Sequence, residues 1–255
     1  MKRLTEKERA LAKLLLPLRP RIGPVFWYDL VQSTMDVAFQ NGRKSALNRT
    51  LVVSEAQSRG RGRNGRRWYS SRDDLQFSIL LTEYDFRVPY SMVGSYAVYR
   101  AFRRYADRVR LKWVNDVLWE NGKKVAGVLT EEKGAQTAIG IGVNLNSAKV
   151  DMSLTNKATS YYLETGHRIQ KELFIRDILL ELVTLLEEAH GPGLASLLEG
   201  WERDSGLCGR YGIVESDGKR YGGTILGIER HTGALLIESD GTQRILYEGT
   251  LLFIE

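Results

Sequence analysis

Residues 117–132 read VLWENGKKVAGVLTEE, two apolar runs meeting at Asn121-Gly122. Asn-Gly is the preferred pair of a type I′ turn, whose twist matches that of the strands it joins, so the stretch predicts a β-hairpin. Strand candidates flank it on both sides. Thr50–Ser54 is β-branched and apolar and reads as a buried strand, Leu75–Leu81 as another, and Thr137–Leu145 as a partner for the hairpin. Helical periodicity occupies separate stretches. Ser33 and Thr34 are N-cap types for a short helix ending near Asn41-Gly42. Tyr90–Val109 puts Met92, Tyr96, Tyr99 and Phe102 towards the core; Lys171–His190 is strongly amphipathic, and Leu194–Arg203 follows Gly191-Pro192-Gly193. Strands and helices segregated in this way predict an α+β domain rather than a doubly wound sheet.

After Gly206 the texture changes to short β-rich runs separated by Asp217-Gly218, His231-Thr232-Gly233 and Asp240-Gly241. Turn pairs at this spacing predict a small SH3-like barrel of roughly 50 residues. Residues 1 to about 20 form a short helix broken by Pro17 and Pro20. The expected division is therefore a helical extension over 1–24, a main domain over 25–206 and a β domain over 207–255. The extension is too small for a helix-turn-helix module, which argues against a DNA partner.

Composition narrows the field further. The chain of 255 residues is 43% apolar but has no run approaching the roughly 20 apolar residues of a membrane span. Its N-terminus mixes charges throughout and lacks a signal-peptide pattern, so a cytoplasmic protein is expected. One cysteine, Cys208, excludes an intramolecular disulfide, and three histidines beside it make a structural zinc site improbable. The net charge of +6 is concentrated: five arginines fall between Arg59 and Arg67. A basic loop on a near-neutral body suits a small-anion pocket better than a surface that tracks a duplex.

That loop, QSRGRGRNGRRW over 57–68, carries the chemistry. Gly60, Gly62 and Gly65 let backbone amides approach a ligand, while Arg61, Arg63 and Arg66 offer forked donors for carboxylate and phosphate oxygens. Composition alone would also suit a flexible arginine–glycine segment on nucleic acid. In LKWVND, 111–116, Lys112 lies between apolar residues at the end of a strand. Burying it calls for an anionic partner, unless it points to solvent from an edge strand. KVAGVLTE (124–131) and GIGVNLN (140–146) place glycines inside strands, where a ligand or another backbone comes close.

Taken in order, GRGRNGRRW, KWVND, KVAGVLTE and GIGVNLN resemble the biotin–protein ligase family, the biotin–acetyl-CoA-carboxylase ligases, over roughly residues 25–255. The resemblance implies a mixed β-sheet flanked by helices, with a small C-terminal SH3-like barrel. It implies that biotin and MgATP form biotinyl-5′-AMP, which a lysine of a biotin carboxyl carrier protein, or a carboxylase's carrier domain, then attacks. By position, Ser33 and Thr34 match contacts to the ureido ring, Gln57 a glutamine beside it, and Arg61, Gly62 and Arg63 the loop over carboxylate and adenylate. Lys112 matches the lysine at the reacting carboxylate, making Lys112 and Arg63 the catalytic pair. Arg61, Arg63, Arg66, Trp68, Lys112, Asn115 and Asn144 are the expected ATP-binding set; Asp116 is open to three readings, orienting Lys112, helping to hold the Mg²⁺ brought with ATP, or a structural role in the turn. Met35 stands where the family has asparagine, and Val114 where it has proline. The alternating Gly-Arg loop favours a biotin over a lipoate ligase of the same fold. Five clustered cations and three glycines lead us to expect a loop that is mobile until ligand binds, and exposed strand edges could pair two copies.

Overall fold

The structure is a computed structural model that describes residues 6–45 and 48–254; expectations touching residues 1–5 and 255 lie outside the described residues. Chain order is α1 (Glu6–Leu14), β1 (Val25–Tyr28), α2 (Thr34–Ser45), β2 (Thr50–Ser54), β3 (Leu75–Leu81), α3 (Tyr90–Phe102), β4 (Val109–Lys112), β5 (Asp116–Trp119), β6 (Lys124–Lys133) and β7 (Gln136–Val143). There follow α4 (Tyr161–Thr165), α5 (Lys171–Ala189), α6 (Leu194–Ser205), β8 (Tyr211–Ser216), β9 (Lys219–Ile228), β10 (Leu235–Ser239), β11 (Thr242–Leu246) and β12 (Thr250–Ile254).

β1 to β7 make one seven-stranded sheet in the order β1-β2-β3-β7-β6-β5-β4. β1 runs parallel to β2, and every other neighbouring pair is antiparallel. Every residue of β2 and β3 is buried, because helices cover both faces. Period-two alternation sends Leu51, Val53, Phe77, Ile79, Ile139 and Ile141 into the main core with α3 and α5. There Phe102 and Phe174 pack with ring centroids 4.7 Å apart. Val52, Leu80 and Ala138 point the other way, onto Met35, Ala38 and Phe39 of α2. The sheet and helix arrangement is thus the α+β fold the sequence predicts.

Two local expectations are corrected. α2 does not stop at Asn41-Gly42 but runs to Ser45. Gly42 sits against β3: a Cβ there would lie 2.2 Å from Leu80 Cδ2, so this glycine permits close helix–sheet packing and is not a cap. The β5–β6 connection is not type I′ either, since only Gly122 (φ 81°) has a positive φ. Trp119 N donates to Lys123 O at 2.8 Å, and Asn121 Oδ1 accepts from Lys123 N at 3.1 Å, giving a loop of Glu120, Asn121 and Gly122 closed by a left-handed glycine. The mirror-image geometry occurs at Asp217-Gly218 (φ 51° and 71°) and Asp240-Gly241 (51° and 70°), where both central residues have positive φ.

β8 to β12 form a five-stranded antiparallel sheet, order β11-β10-β9-β8-β12. Its edge strands β11 and β12 do not pair with each other, so the expected barrel is an open sheet. Contacts join it to the rest of the chain across residue 206. Buried Trp113 Nε1 donates to Gly233 O at 3.0 Å, and Arg230 Nη2 donates to Glu202 Oε1 at 2.7 Å. At the other end of the chain, α1 is tied down through buried Glu8, whose Oε1 accepts from Trp27 N at 3.1 Å. No helix among the described residues is long and apolar enough to cross a membrane.

Candidate active site

Register places one row of residues straight across the large sheet. Tyr28, Ser54, Gln76, Gly142, Gly127, Asp116 and Lys112 stand opposite one another in successive pairs. Ser78, Gly140 and Leu129 form the parallel row beside it. A cleft of about 690 Å³ lies over the part of this surface that α2 leaves uncovered. The glycines lower its floor, and the protein's own side chains use the room. A Cβ on Gly142 would fall 2.4 Å from the Trp68 indole, one on Gly127 2.6 Å from Lys124 Nζ, and one on Gly140 2.8 Å from Met35 Sδ. These strand glycines admit Trp68, Lys124 and Met35 to the floor. Met35 is almost wholly buried there, a thioether among Ala38, Phe39 and Val52.

One end of the cleft is polar and neutral. Thr34 N and Oγ1 both donate to Gln57 Oε1, at 2.8 and 3.1 Å, and Thr34 Oγ1 lies 2.7 Å from Ser78 Oγ. Ser33 precedes α2 and its carbonyl accepts from Val37 N at 3.3 Å. Sequence reasoning thus brings Ser33, Thr34 and Gln57 to one place but misses Ser78.

The arginine–glycine loop roofs the cleft as a tight hairpin. Gly62 N donates to Arg66 O at 2.7 Å and Trp68 N to Gly60 O at 2.9 Å around a 3₁₀ turn, Arg63–Gly65, in which Asn64 (φ 56°) and Gly65 (φ 69°) are left-handed. Its arginines face three different environments. Arg61 donates to Asp36 at 2.8 and 3.0 Å and to Glu131 at 2.9 and 3.0 Å, so its fork is occupied by protein carboxylates. Arg63 turns inward, and among the described residues its one hydrogen bond is Nη1 to Asn115 Oδ1, at 3.2 Å. Arg66 and Arg67 are exposed at the mouth, the latter over Tyr69.

At the centre, Lys124 Nζ lies 2.6 Å from Asp116 Oδ1 and 5.5 Å from the centre of the Trp68 ring. Lys112 ends the row beside Asp116, and its ammonium has no hydrogen bond or ion pair among the described residues. Burial lowers the Lys112 pKa, with Lys124 and Arg66 adding to the effect and Asp116 opposing it. Burial likewise lowers that of Arg63; Asp116 and Glu248 oppose it and Arg66 reinforces it. Both groups are cations short of anions, a state that a bound carboxylate or phosphate would relieve. Asn115 Nδ2 donates to Val128 O at 2.6 Å, which fixes the oxygen that Arg63 uses. Asn144 lines the cleft, yet its amide donates to Thr159 O at 3.0 Å, a brace for the loop ahead of α4. Thr250, Leu251 and Leu252 of β12 complete the wall.

Lys124 is the main omission of the sequence reading. Its signal was in view, as the first residue of KVAGVLTE with a glycine three positions on. Asp116 is the carboxylate of the cleft, but Lys124 already occupies it, and no group of three His, Cys, Asp or Glu able to hold a metal occurs among the described residues.

A mixed sheet carries a neutral polar pocket that opens onto Lys112 and Arg63, neither in an ion pair among the described residues, and this arrangement has the chemistry to hold a small molecule with an anionic end. Residues 27–146 match the biotin/lipoate A/B protein ligase family. It is 31% identical to the bifunctional ligase/repressor BirA of Escherichia coli (strain K12) over 199 residues, 74% of this chain and 61% of that protein's length. To the biotin–[acetyl-CoA-carboxylase] ligase of Paracoccus denitrificans it is 28% identical, over 79% of this chain and 89% of that protein. Among solved structures, the biotin protein ligase from Aquifex aeolicus in complex with biotin and ATP superposes with a TM-score of 0.79 at 24% identity, covering 91% of this chain and 98% of that one. The Leishmania major biotin protein ligase in complex with biotinyl-5-AMP gives 0.63 at 23% identity, over 87% and 98%. These two share its fold.

Proposed function

We propose that the chain is an ATP-dependent biotin–protein ligase. The observation that carries this reading is the cleft itself: a neutral hydrogen-bonding end at Thr34, Gln57 and Ser78, leading along a glycine floor to Lys112, Lys124 and Arg63. A ureido ring suits the first, and a carboxylate beside a nucleotide α-phosphate suits the second. In the first step a biotin carboxylate oxygen attacks the α-phosphorus of MgATP; the bond to the β,γ-phosphates breaks, and pyrophosphate leaves with its magnesium. Lys112, Lys124 and Arg63 offset the negative charge that gathers as the two anions join. In the second step a neutral lysine amine of the carrier attacks the acyl carbon, an amide forms, and AMP and a proton depart. The loop and Trp68 cover the mixed anhydride and keep water from it until then.

The same reading assigns Ser33, Thr34 and Gln57 to biotin, and Arg63, Arg66, Trp68, Asn115 and Asn144 to the nucleotide side. It makes 25–206 the catalytic part and 207–255 a module that braces the nucleotide side and receives the carrier. The carrier is a biotin carboxyl carrier protein or domain, and the setting is cytoplasmic. The test is ATP–pyrophosphate exchange with biotin, lipoate and octanoate offered separately. Exchange that depends on biotin is expected. Exchange with lipoate alone would replace this reading with lipoate ligation.

A further inference from the structure

Arg61 stands in the middle of the motif that suggests anion binding, yet each of its three nitrogens donates to a protein carboxylate. Nη1 and Nη2 meet the two oxygens of Asp36, while Nε and Nη2 meet the two oxygens of Glu131. Lys133 Nζ also reaches Asp36 Oδ1, at 3.5 Å, while lying over the Phe39 ring. Two cations and two carboxylates thus form a closed, neutral group. The guanidinium hydrogen bond to Asp36 is the chief cause of that carboxyl's lowered pKa, and the reciprocal bond to Asp36 of the raised pKa of Arg61. A guanidinium neutralised in this way adds little positive potential to the cleft, in contrast to Arg63, whose one hydrogen-bond partner among the described residues is a neutral amide.

The three elements tied together are the ones whose relative placement the site needs. Asp36 lies in the first turn of α2, two residues after Thr34, which holds Gln57. Glu131 lies on β6, four residues beyond Gly127 of the floor. Arg61 itself is the stem of the loop, bridged to Arg67 and two residues ahead of Arg63. Partners 25 and 70 residues away in sequence converge on one side chain.

We propose that Arg61 is a positioning residue and not an anion ligand: with Asp36 and Glu131 it pins the loop stem to α2 and β6, and so sets where Arg63 meets the adenylate. The consequence for the adenylate rests on the ligase reading; the consequence for loop order does not. Swapping the carboxylates tests it without removing any tryptic site. Asp36→Asn/Glu131→Gln should raise the rate of trypsin cleavage within residues 59–67 of the ligand-free protein by about tenfold, the effect of losing a network of charged hydrogen bonds. Cleavage elsewhere should stay at the wild-type rate. Arg61→Lys, which keeps the charge but cannot engage both carboxylates in forked pairs, should behave in the same way. Both variants should raise the KM for ATP in biotin-dependent exchange. If Arg61 were an anion ligand, freeing it from its carboxylates would lower that KM and leave loop cleavage unchanged, which overturns the proposal. A rise in cleavage spread evenly over the chain also overturns it, since the group would then hold the fold and not the loop. Failure of the wild-type protein to exchange with biotin would sink the ligase reading alone, because loop cleavage still decides the role of Arg61.

Discussion

Lys124→Met removes the cation at the centre of the floor and leaves its partner behind. Lys124 Nζ and Asp116 Oδ1 are 2.6 Å apart, and both side chains are partly shielded, at 31% and 20% exposure. Asp116 is also the cross-strand neighbour of Lys112. In the wild-type protein the trio of Lys112, Lys124 and Asp116 carries one net positive charge; after the substitution it carries none, and an unpaired carboxylate faces the space where two anions must meet. One unit charge about 4 Å from a phosphate at an effective dielectric near 20 interacts by ~4 kcal/mol. Solvent in the open cleft screens part of that, so the expected loss of adenylate formation is about 100- to 1,000-fold, the range for removing one preorganised contact. Methionine preserves length and volume, so the circular dichroism spectrum should be unchanged. The decisive measurement is the double variant Lys124→Met/Asp116→Asn, which restores one net positive charge by deleting the repelling carboxylate. Its biotin-dependent exchange should recover about tenfold over the single variant. If Lys124→Met exchanges within about threefold of wild type, or if neutralising Asp116 gives no recovery, the charge argument for the floor is wrong.

Lys112→Met should also reduce exchange by about 100-fold with the fold intact. Burial lowers the Lys112 pKa, so exchange by the wild-type enzyme should decline on the alkaline side before a free lysine would titrate, and Lys112→Arg should move that limb upward. The same shift has a stability sign: the unfolded chain holds more protons between the lowered value and the ordinary 10.5, so the penalty for burying this cation fades as pH rises through that window. Arg63→Gly should still make biotinyl-5′-AMP, because Lys112 and Lys124 remain, but should release it early and label an unrelated lysine-rich bystander protein; labelling confined to the carrier would show that Arg63 does not retain the intermediate. Gly142→Ala puts a methyl group 2.4 Å from the Trp68 indole, so the ring and the loop that carries it must move away. It should cost about 1–3 kcal/mol in thermal or denaturant unfolding and open the loop to trypsin; an unchanged midpoint and unchanged cleavage would contradict the floor packing.

Much of the fold follows from local pattern. Thr50–Ser54 and Leu75–Leu81 are strands with the bounds their composition predicts, and the helical period of Lys171–His190 gives α5. What sequence spacing could not supply was set by contacts between distant elements. Asn41-Gly42 looks like a helix end, but its glycine is needed because α2 presses on Leu80. Asn121-Gly122 looks like a two-residue turn, but Trp119 pairs through to Lys123 and makes the loop one residue longer. The site divides in the same way. The residue types of the loop announce anion chemistry, and Ser33, Thr34 and Gln57 do come together. Which arginine is free for a ligand depends on Asp36 and Glu131, which lie far away in sequence. Which lysine sits at the centre depends on Gly127 leaving room for the Lys124 side chain.

The cross-strand row explains why these distant choices agree. Gly142 and Gly127 are partners across β6 and β7, so the two missing side chains open one continuous depression and not two separate gaps. Trp68, brought over by the loop, fills the Gly142 side; Lys124, from the strand itself, fills the Gly127 side; and the ammonium faces the indole ring at 5.5 Å. Trp68 thus couples the loop that carries Arg63 to the strand that carries Lys124. Asp116, next in the row, holds Lys124 in place and separates it from Lys112. Without Asp116 the two lysines would repel across one floor; without the glycines neither Trp68 nor Lys124 could lie down on it. The strand glycines of the sequence therefore do their work one step removed from a ligand, by letting the protein's own aromatic ring and ammonium form the surface on which an anion can rest.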